Sequence, residues 1–423
     1  MFKPYRTVLD NGMRIVTVPM KDTKTVTVLV LVEAGTFFET KKTNGISHFL
    51  EHMCFKGTTK RPTAHIISHE FDSIGADSNA LTTGEYTGYY AKSRVRHFEQ
   101  ILDIVSDVYL DPTFPTQEIE KEKGVILEEI NMYEDTPSQT VHDVFSELLY
   151  GDQPAGWNTL GTKENIKRFG RRDFVKYRTG QYRASATTVV IAGGIEKGKA
   201  LSAVRKAFAI LSDGKKGRRS KTIYKQTKPQ IKARYKKTDQ THFVLGFPSY
   251  NTYDKKRTAV RLLATSLGQG MSSRLFQKLR EEMGVCYYVG SYAEANRDAG
   301  IFKITSGVDT KRLPKVVEVI LEETKSLRDV LISKSELEKV QEYMIGSIEM
   351  GLESSDDIAS YYGTQEIYGK ELKEPEEYIK DIKSITTEDI QNVARELFRI
   401  ERLNLALVGP QKSVGDLLKK LKI

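Results

Sequence analysis

Hydrophobic and polar positions along this chain follow two periods. Residues 26–32, Val-Thr-Val-Leu-Val-Leu-Val, form a β-branched run that predicts a buried strand. Residues 7–9 and 14–18 flank Asp10-Asn11-Gly12, a strong hairpin signal. A helical period takes over across residues 45–55, where Thr43-Asn44 supplies a candidate cap. It returns over 63–74, 98–109, 116–134 and 140–150. Strands separated by long helices, with one clear hairpin, predict an α+β fold: a mostly antiparallel sheet covered by helices.

The same pattern is written twice. Gln117-Glu118-Ile119-Glu120-Lys121 resembles Ser335-Glu336-Leu337-Glu338-Lys339. Gly88-Tyr89-Tyr90-Ala91-Lys92 resembles Gly300-Ile301-Phe302-Lys303-Ile304, and each precedes a helix. Asp173 and Asp389 each open a helix leading to a strand that ends in glycine, Gly193 and Gly409. Three colinear matches at similar offsets predict a duplicated unit. The expected domains are 1–213 and 231–423, joined by a linker at 214–230.

Composition narrows the class. A chain of 423 residues is too long for one ordinary core. With 39% hydrophobic and 29% charged residues it suits a globular protein, and no apolar run is long enough to span a bilayer. The N-terminus has no apolar signal core, and two cysteines, Cys54 and Cys286, build no disulfide framework. These features predict a cytoplasmic protein with no membrane partner. The net charge is +9, and much of the excess lies in Lys215-Lys216-Gly217-Arg218-Arg219. That stretch lacks interleaved aromatics and reads as a solvated linker, so no nucleic-acid partner is expected.

The chemistry centres on His48-Phe49-Leu50-Glu51-His52. Histidines at i and i+4 lie one turn apart on one helix face, where both imidazoles reach a single metal. Ile46, Phe49, Leu50 and Met53 form the opposite, core-facing stripe. Glu51 sits at the edge of the histidine face, placed to act on water without ligating the metal. Zinc held by two histidines needs a third protein ligand. Glu129 fits, because it lies on a later helix whose stripe includes Glu122, Ile119, Ile126 and Ile130. Carboxylates inside an apolar stripe are costly unless paired or metal-bound. Glu122 then orients a histidine from outside the ligand set. The expected chemistry is hydrolysis of peptide bonds by a zinc-activated water with Glu51 as general base. His65 and His69 share the i, i+4 spacing but have Ser68 where the base would stand, and they read as ordinary helix residues.

With these motifs in place, the chain resembles the pitrilysin (inverzincin) family of zinc metallopeptidases, in the small two-domain type similar to mitochondrial processing peptidase. The inverted His-x-x-Glu-His and a distal glutamate beyond a gap of 76 residues match His48, Glu51, His52 and Glu129. A glutamate seven residues before the distal one matches Glu122. The resemblance implies one Zn2+ per chain. It implies that Gly75-Ala76-Asp77-Ser78-Asn79-Ala80 holds a substrate-binding edge strand, with peptide backbone recognised at Asn79 and Ala80. It further implies that Arg280 anchors substrate and that the Tyr287 hydroxyl supports the oxyanion, with Tyr288 an adjacent competitor. The second half lacks a His-Glu-His and is expected to be metal-free. Because one chain carries both the metal motif and the arginine–tyrosine pair, a homodimer is expected, a heterodimer with a related chain being the alternative. Arg280 and Tyr287 then act in cis or on the other subunit. The substrates implied are unfolded peptides or presequence-like segments. The rival readings are a non-catalytic scaffold subunit, against which the intact motif speaks, and a nucleic-acid binder, which only net charge suggests.

Overall fold

The computed structural model describes residues 2–411 together with 414, 415 and 417. The chain forms two compact units. One comprises 1–130, 158–220 and 349–374, the other 131–157, 221–348 and 375–423. Among the described residues no helix is long and apolar enough to cross a membrane.

The strands of the first unit are β1 (Tyr5–Val8), β2 (Arg14–Pro19), β3 (Thr25–Val32), β4 (Asp77–Thr82), β5 (Thr87–Arg94) and β6 (Thr187–Gly193). They lie in the order β1-β2-β6-β3-β5-β4. Only β2 and β6 run parallel. The second unit has β7 (Gln230–Tyr235), β8 (Gln240–Ser249), β9 (Cys286–Ala295), β10 (Gly300–Asp309) and β11 (Asn404–Gly409), in the order β7-β11-β8-β10-β9. Here too a single pair, β7 with β11, is parallel. The second order reproduces β2-β6-β3-β5-β4 strand for strand, so the duplication read from sequence is also a duplication of topology. Among the described residues each sheet ends at an unpaired edge, β4 in the first unit and β9 in the second.

The helices are α1 (Ile46–Cys54), α2 (Ala64–Ser73), α3 (Phe98–Leu110), α4 (Thr116–Asp135), α5 (Pro137–Tyr150), α6 (Lys163–Arg168), α7 (Arg171–Gln181), α8 (Lys197–Ala207), α9 (Arg257–Gly268), α10 (Leu313–Asp329), α11 (Lys334–Met350), α12 (Ser355–Ile367), α13 (Pro375–Lys383) and α14 (Thr387–Leu397). Both faces of β3 are buried. Val26, Val28, Val30 and Val32 face a core that includes Phe49 and Leu50 of α1, Ile101 and Val105 of α3, and Ile119 and Ile126 of α4. Leu29 and Leu31 face Ile358, Ala359 and Tyr362 of α12. The second sheet is covered the same way. Phe243 and Leu245 of β8 face α9, α10 and α14, while Val244 faces Val141, Val144 and Phe145 of α5.

The helix covering the far face of each sheet therefore comes from the other half of the chain. The sequence reading takes each half as contiguous, but α5 belongs to the second unit and α12 to the first. An amphipathic helix specifies that it must bury one face, not which sheet receives it.

Candidate active site

Helix α1 begins at a residue with no side chain of its own to cap it. Gly45 occupies the N-cap position in the left-handed region (φ 96°), and a Cβ there would stand 2.7 Å from the Leu160 carbonyl oxygen. The cap expected from Thr43-Asn44 comes instead from the buried Glu39. Its Oε2 accepts hydrogen bonds from the Gly45 amide (2.9 Å) and Asn44 Nδ2 (3.1 Å), and its Oε1 from the Ser47 amide (2.9 Å). The carboxylate thus faces the positive end of the helix dipole. Burial pushes the Glu39 pKa up, and the hydrogen bonds from Ser47, Gly45 and Asn44 oppose that.

The apolar stripe fixes the rotation of α1. Ile46, Phe49, Leu50 and Met53 are fully buried, with the Phe49 ring 4.8 Å from that of Phe174. His48, Glu51 and His52 are thereby turned to the opposite side. Cys54 points into the core, 3.5 Å from the Tyr89 hydroxyl, in keeping with a structural thiol. On α4, Ile119, Glu122, Ile126 and Ile130 are the buried stripe, as their spacing predicts.

The two helices bring three donor atoms together. Nε2 of His48 lies 3.7 Å and Nε2 of His52 3.9 Å from Glu129 Oε2. All three donor atoms lie within 4.8 Å of one another. Ligands around one tetrahedral zinc ion, with bonds of ~2.0–2.2 Å, stand about 3.3 Å apart. Glu129 Oε2 and His48 Nδ1 are buried and have no hydrogen-bond partner. An orphaned carboxylate oxygen aimed at two imidazole nitrogens is costly unless a cation sits among them. The donor set therefore fits zinc. Among the described residues no other His, Cys, Asp and Glu side chains form such a group. His65 and His69 are exposed on α2 and have no third ligand.

Glu122 completes the cluster from outside it. Its Oε1 lies 2.8 Å from His52 Nδ1, which fixes that ring with Nε2 toward Glu129. Its Oε2 is 2.6 Å from Lys56 Nζ. Burial alone would raise the Glu122 pKa, but the hydrogen bonds from His52 and Lys56 hold it below the usual range. Burial, aided by the charge of His52, pushes His48 down to about 3, so its ring is neutral and free to donate a lone pair. Burial also pulls His52 down, but Glu122, Glu51 and Glu129 more than reverse it. Burial raises Glu129, the nearby Glu122 charge adding to the effect.

Glu51 faces the same space from α1 and is 9% exposed. Burial raises its pKa, and a hydrogen bond donated by the Thr82 hydroxyl to Oε2 opposes the rise. Neither Thr82 nor Lys56 stands out in the sequence. Lys56 is one turn past His52 and could have been read as its neighbour; Thr82 reaches Glu51 only through the fold. Asn79 and Ala80 lie on β4, paired with Tyr90 and Tyr89 on one side only. The Ala80 amide donates to its neighbour Asn79 Oδ1 (2.8 Å), so at that point the outer edge carries a backbone donor that the sheet does not use.

Arg280 and Tyr287 lie in the second unit. Arg280 sits in a π-helical turn, Phe276–Glu282, with its guanidinium 5.4 Å from the Phe276 ring centre. Tyr287, on β9, is 78% exposed. Its rival Tyr288 is held through its hydroxyl to His242 Nδ1 (2.8 Å), leaving Tyr287 as the tyrosine with a free reach. Helix α9, which takes the place of α1 in the second topology, contains no histidine or carboxylate.

Two nitrogens and a carboxylate oxygen converging beside a second, unligated carboxylate, next to an open sheet edge, define a metallopeptidase type of site. Comparison with known proteins agrees. Residues 14–163 match the insulinase (peptidase family M16) model, and residues 168–344 match the peptidase M16 inactive domain. The chain is 36% identical over 401 residues to the uncharacterized zinc protease YmxG of Bacillus subtilis, covering 95% of this chain and 97% of that protein. It is 32% identical to an uncharacterized zinc protease of Streptomyces coelicolor over 96% of this chain and 90% of that one. The crystal structure of a protease from Helicobacter pylori superposes with a TM-score of 0.90 at 22% identity, covering 97% of this chain and all of that one. The chain belongs to peptidase family M16, in its small two-domain form. The match of residues 168–344 to an inactive domain agrees with there being no second donor cluster among the described residues.

Proposed function

We propose that this protein is a zinc-dependent metalloendopeptidase that cuts unfolded peptides or presequence-like segments. His48, His52 and Glu129 hold one zinc ion per chain, and Glu51 is the general base. The observation that carries this reading is the convergence of both Nε2 atoms on the orphaned Glu129 Oε2, with the unligated Glu51 beside them. When bound, zinc supplies a Lewis acid at that focus.

The chain's own groups do the rest. Glu122 holds His52 in the tautomer that presents Nε2. The β4 edge takes an extended peptide as an added strand, with Asn79 and Ala80 reading its backbone. Pairing of this kind needs a strand free of its own fold, which favours unfolded substrates. Glu51 removes the proton from the attacking water and passes it to the leaving amine, so the carboxylate ends each cycle as it began. By family resemblance, Arg280 anchors the peptide and Tyr287 donates to the oxyanion. A homodimer in the cytoplasm is the working assembly, with a heterodimer as the alternative. The buried, unpaired thiols of Cys54 and Cys286 favour a reducing compartment.

The test is cleavage of a mixed pool of peptides about 15–40 residues long, a length that spans several strand-pairing sites, with and without a chelator. Internal cuts that vanish on chelation and return with zinc support the reading. A zinc-loaded chain that cuts none of them overturns it in favour of a scaffold role.

A further inference from the structure

We infer that Thr82 is the positioning residue for Glu51, held in place by a clamp that begins in the stretch joining the two halves of the chain. The inference rests on the peptidase reading above. Thr82 is the last residue of the edge strand β4, and its hydroxyl donates to Glu51 Oε2. The nearby Thr87 hydroxyl, 3.4 Å away, gives its own proton to the Ala34 carbonyl at 2.9 Å. Of the two acceptors then within reach, the nearer and charged Glu51 Oε2 takes the Thr82 proton, which fixes which oxygen is occupied. Oε1 is then the oxygen that takes the proton from water.

Thr82 can do this because the turn that follows it is clamped in layers. Thr83 Oγ1 accepts the amides of Glu85 (3.2 Å) and Tyr86 (3.0 Å), closing the turn. The next layer is the segment after β3, where the Phe37 amide donates to the Gly84 carbonyl (2.8 Å). The fit admits no side chains. A Cβ on Gly35 would stand 2.3 Å from the Thr83 carbonyl oxygen, and one on Gly84 2.8 Å from the Phe37 ring. The outer layer is the basic stretch. Arg219 Nε donates to the buried Glu85 (2.7 Å), its guanidinium lies 4.8 Å over Phe37, and the Ser220 amide donates to the Phe37 carbonyl (2.8 Å). A flexible three-carbon carboxylate in a tight site needs such a fixed donor, since a misplacement of about 1 Å costs up to ~100-fold in rate.

The experiment compares Thr82→Val and Thr82→Ser with wild type for kcat, KM and zinc content on one cleaved peptide. Valine keeps the shape and removes the donor, and serine keeps the donor. The result expected is a kcat loss of roughly 10- to 100-fold in Thr82→Val with KM and zinc content unchanged, and recovery to within about threefold in Thr82→Ser. A Thr82→Val enzyme with wild-type kcat, a loss carried by KM, or a serine variant as poor as the valine one overturns the inference and leaves the peptidase reading standing. A zinc-loaded wild type that cuts nothing removes both.

Discussion

Three glutamates in one small volume are set apart by their neighbours. Glu122 is ionised and directional because His52 and Lys56 take one oxygen each. Glu129 keeps an oxygen with no hydrogen-bond partner, and Glu51 has one oxygen tied by Thr82. From this follows a division of labour that single substitutions separate. Glu122→Gln leaves the His52 ring without its anionic partner, and zinc affinity measured by chelator competition falls roughly 10- to 100-fold. An unchanged affinity would remove Glu122 from any role in the metal site. Much of this was legible in the sequence. Helical spacing alone places His48, His52 and Glu51 together, and the cost of a carboxylate in an isoleucine stripe points to Glu122 and Glu129. Thr82 was not legible, because a threonine ending a strand carries no local sign of the helix it will meet. The tie of Tyr288 to His242 was not legible either, since β8 and β9 are separated by β10 and the two side chains meet over Gly307.

Among the elements, the basic stretch departs most from its composition. Lys215 and Arg218 are exposed, as a solvated linker requires. Lys216 and Arg219, however, pair with Glu33 and Glu85, whose side chains are almost fully buried. A charge run reveals an excess of cations but not the buried anions waiting elsewhere in the chain. Arg219→Met takes a charge-assisted hydrogen bond from the buried Glu85, so it destabilises the protein by about 2 kcal/mol, read from denaturant unfolding. A cost near zero would return the stretch to the status of a tether. The cap of α1 follows the same logic. Local pattern offered Thr43-Asn44, and a more distant carboxylate, Glu39, took the position because burial and the helix dipole favour it there. Strand and helix positions were otherwise legible, since β3, α1, α2, α3 and α4 each lie within a few residues of where their periodicity puts them. The exchange of α5 and α12 between the two units was not, since it depends on tertiary partners that no single helix encodes.

For the whole molecule, two conditions set stability. Zinc binds the folded site and not the dispersed ligands, so at a free concentration of 100 Kd it adds about 2.7 kcal/mol, seen as a higher Tm that a chelator reverses. Acid acts through carboxylates such as Glu336. Burial would raise its pKa, but hydrogen bonds from Arg274 and Ser266 hold it below the unfolded value. Its stabilisation is therefore complete above the unfolded pKa of about 4.3 and is lost as pH falls through the lower folded value. Glu336→Gln flattens the acid limb of the stability curve; a variant with the same acid dependence as wild type would assign that limb to other groups.

The central claim is that one zinc ion and Glu51 share the reaction. It is tested most directly by measuring zinc content and peptide turnover together in wild type and Glu51→Gln. The account predicts one zinc per chain in both, with turnover reduced by about 1,000-fold or more in the variant. A Glu51→Gln chain that cuts peptides at the wild-type rate, or a wild type that cuts them without zinc, would contradict it.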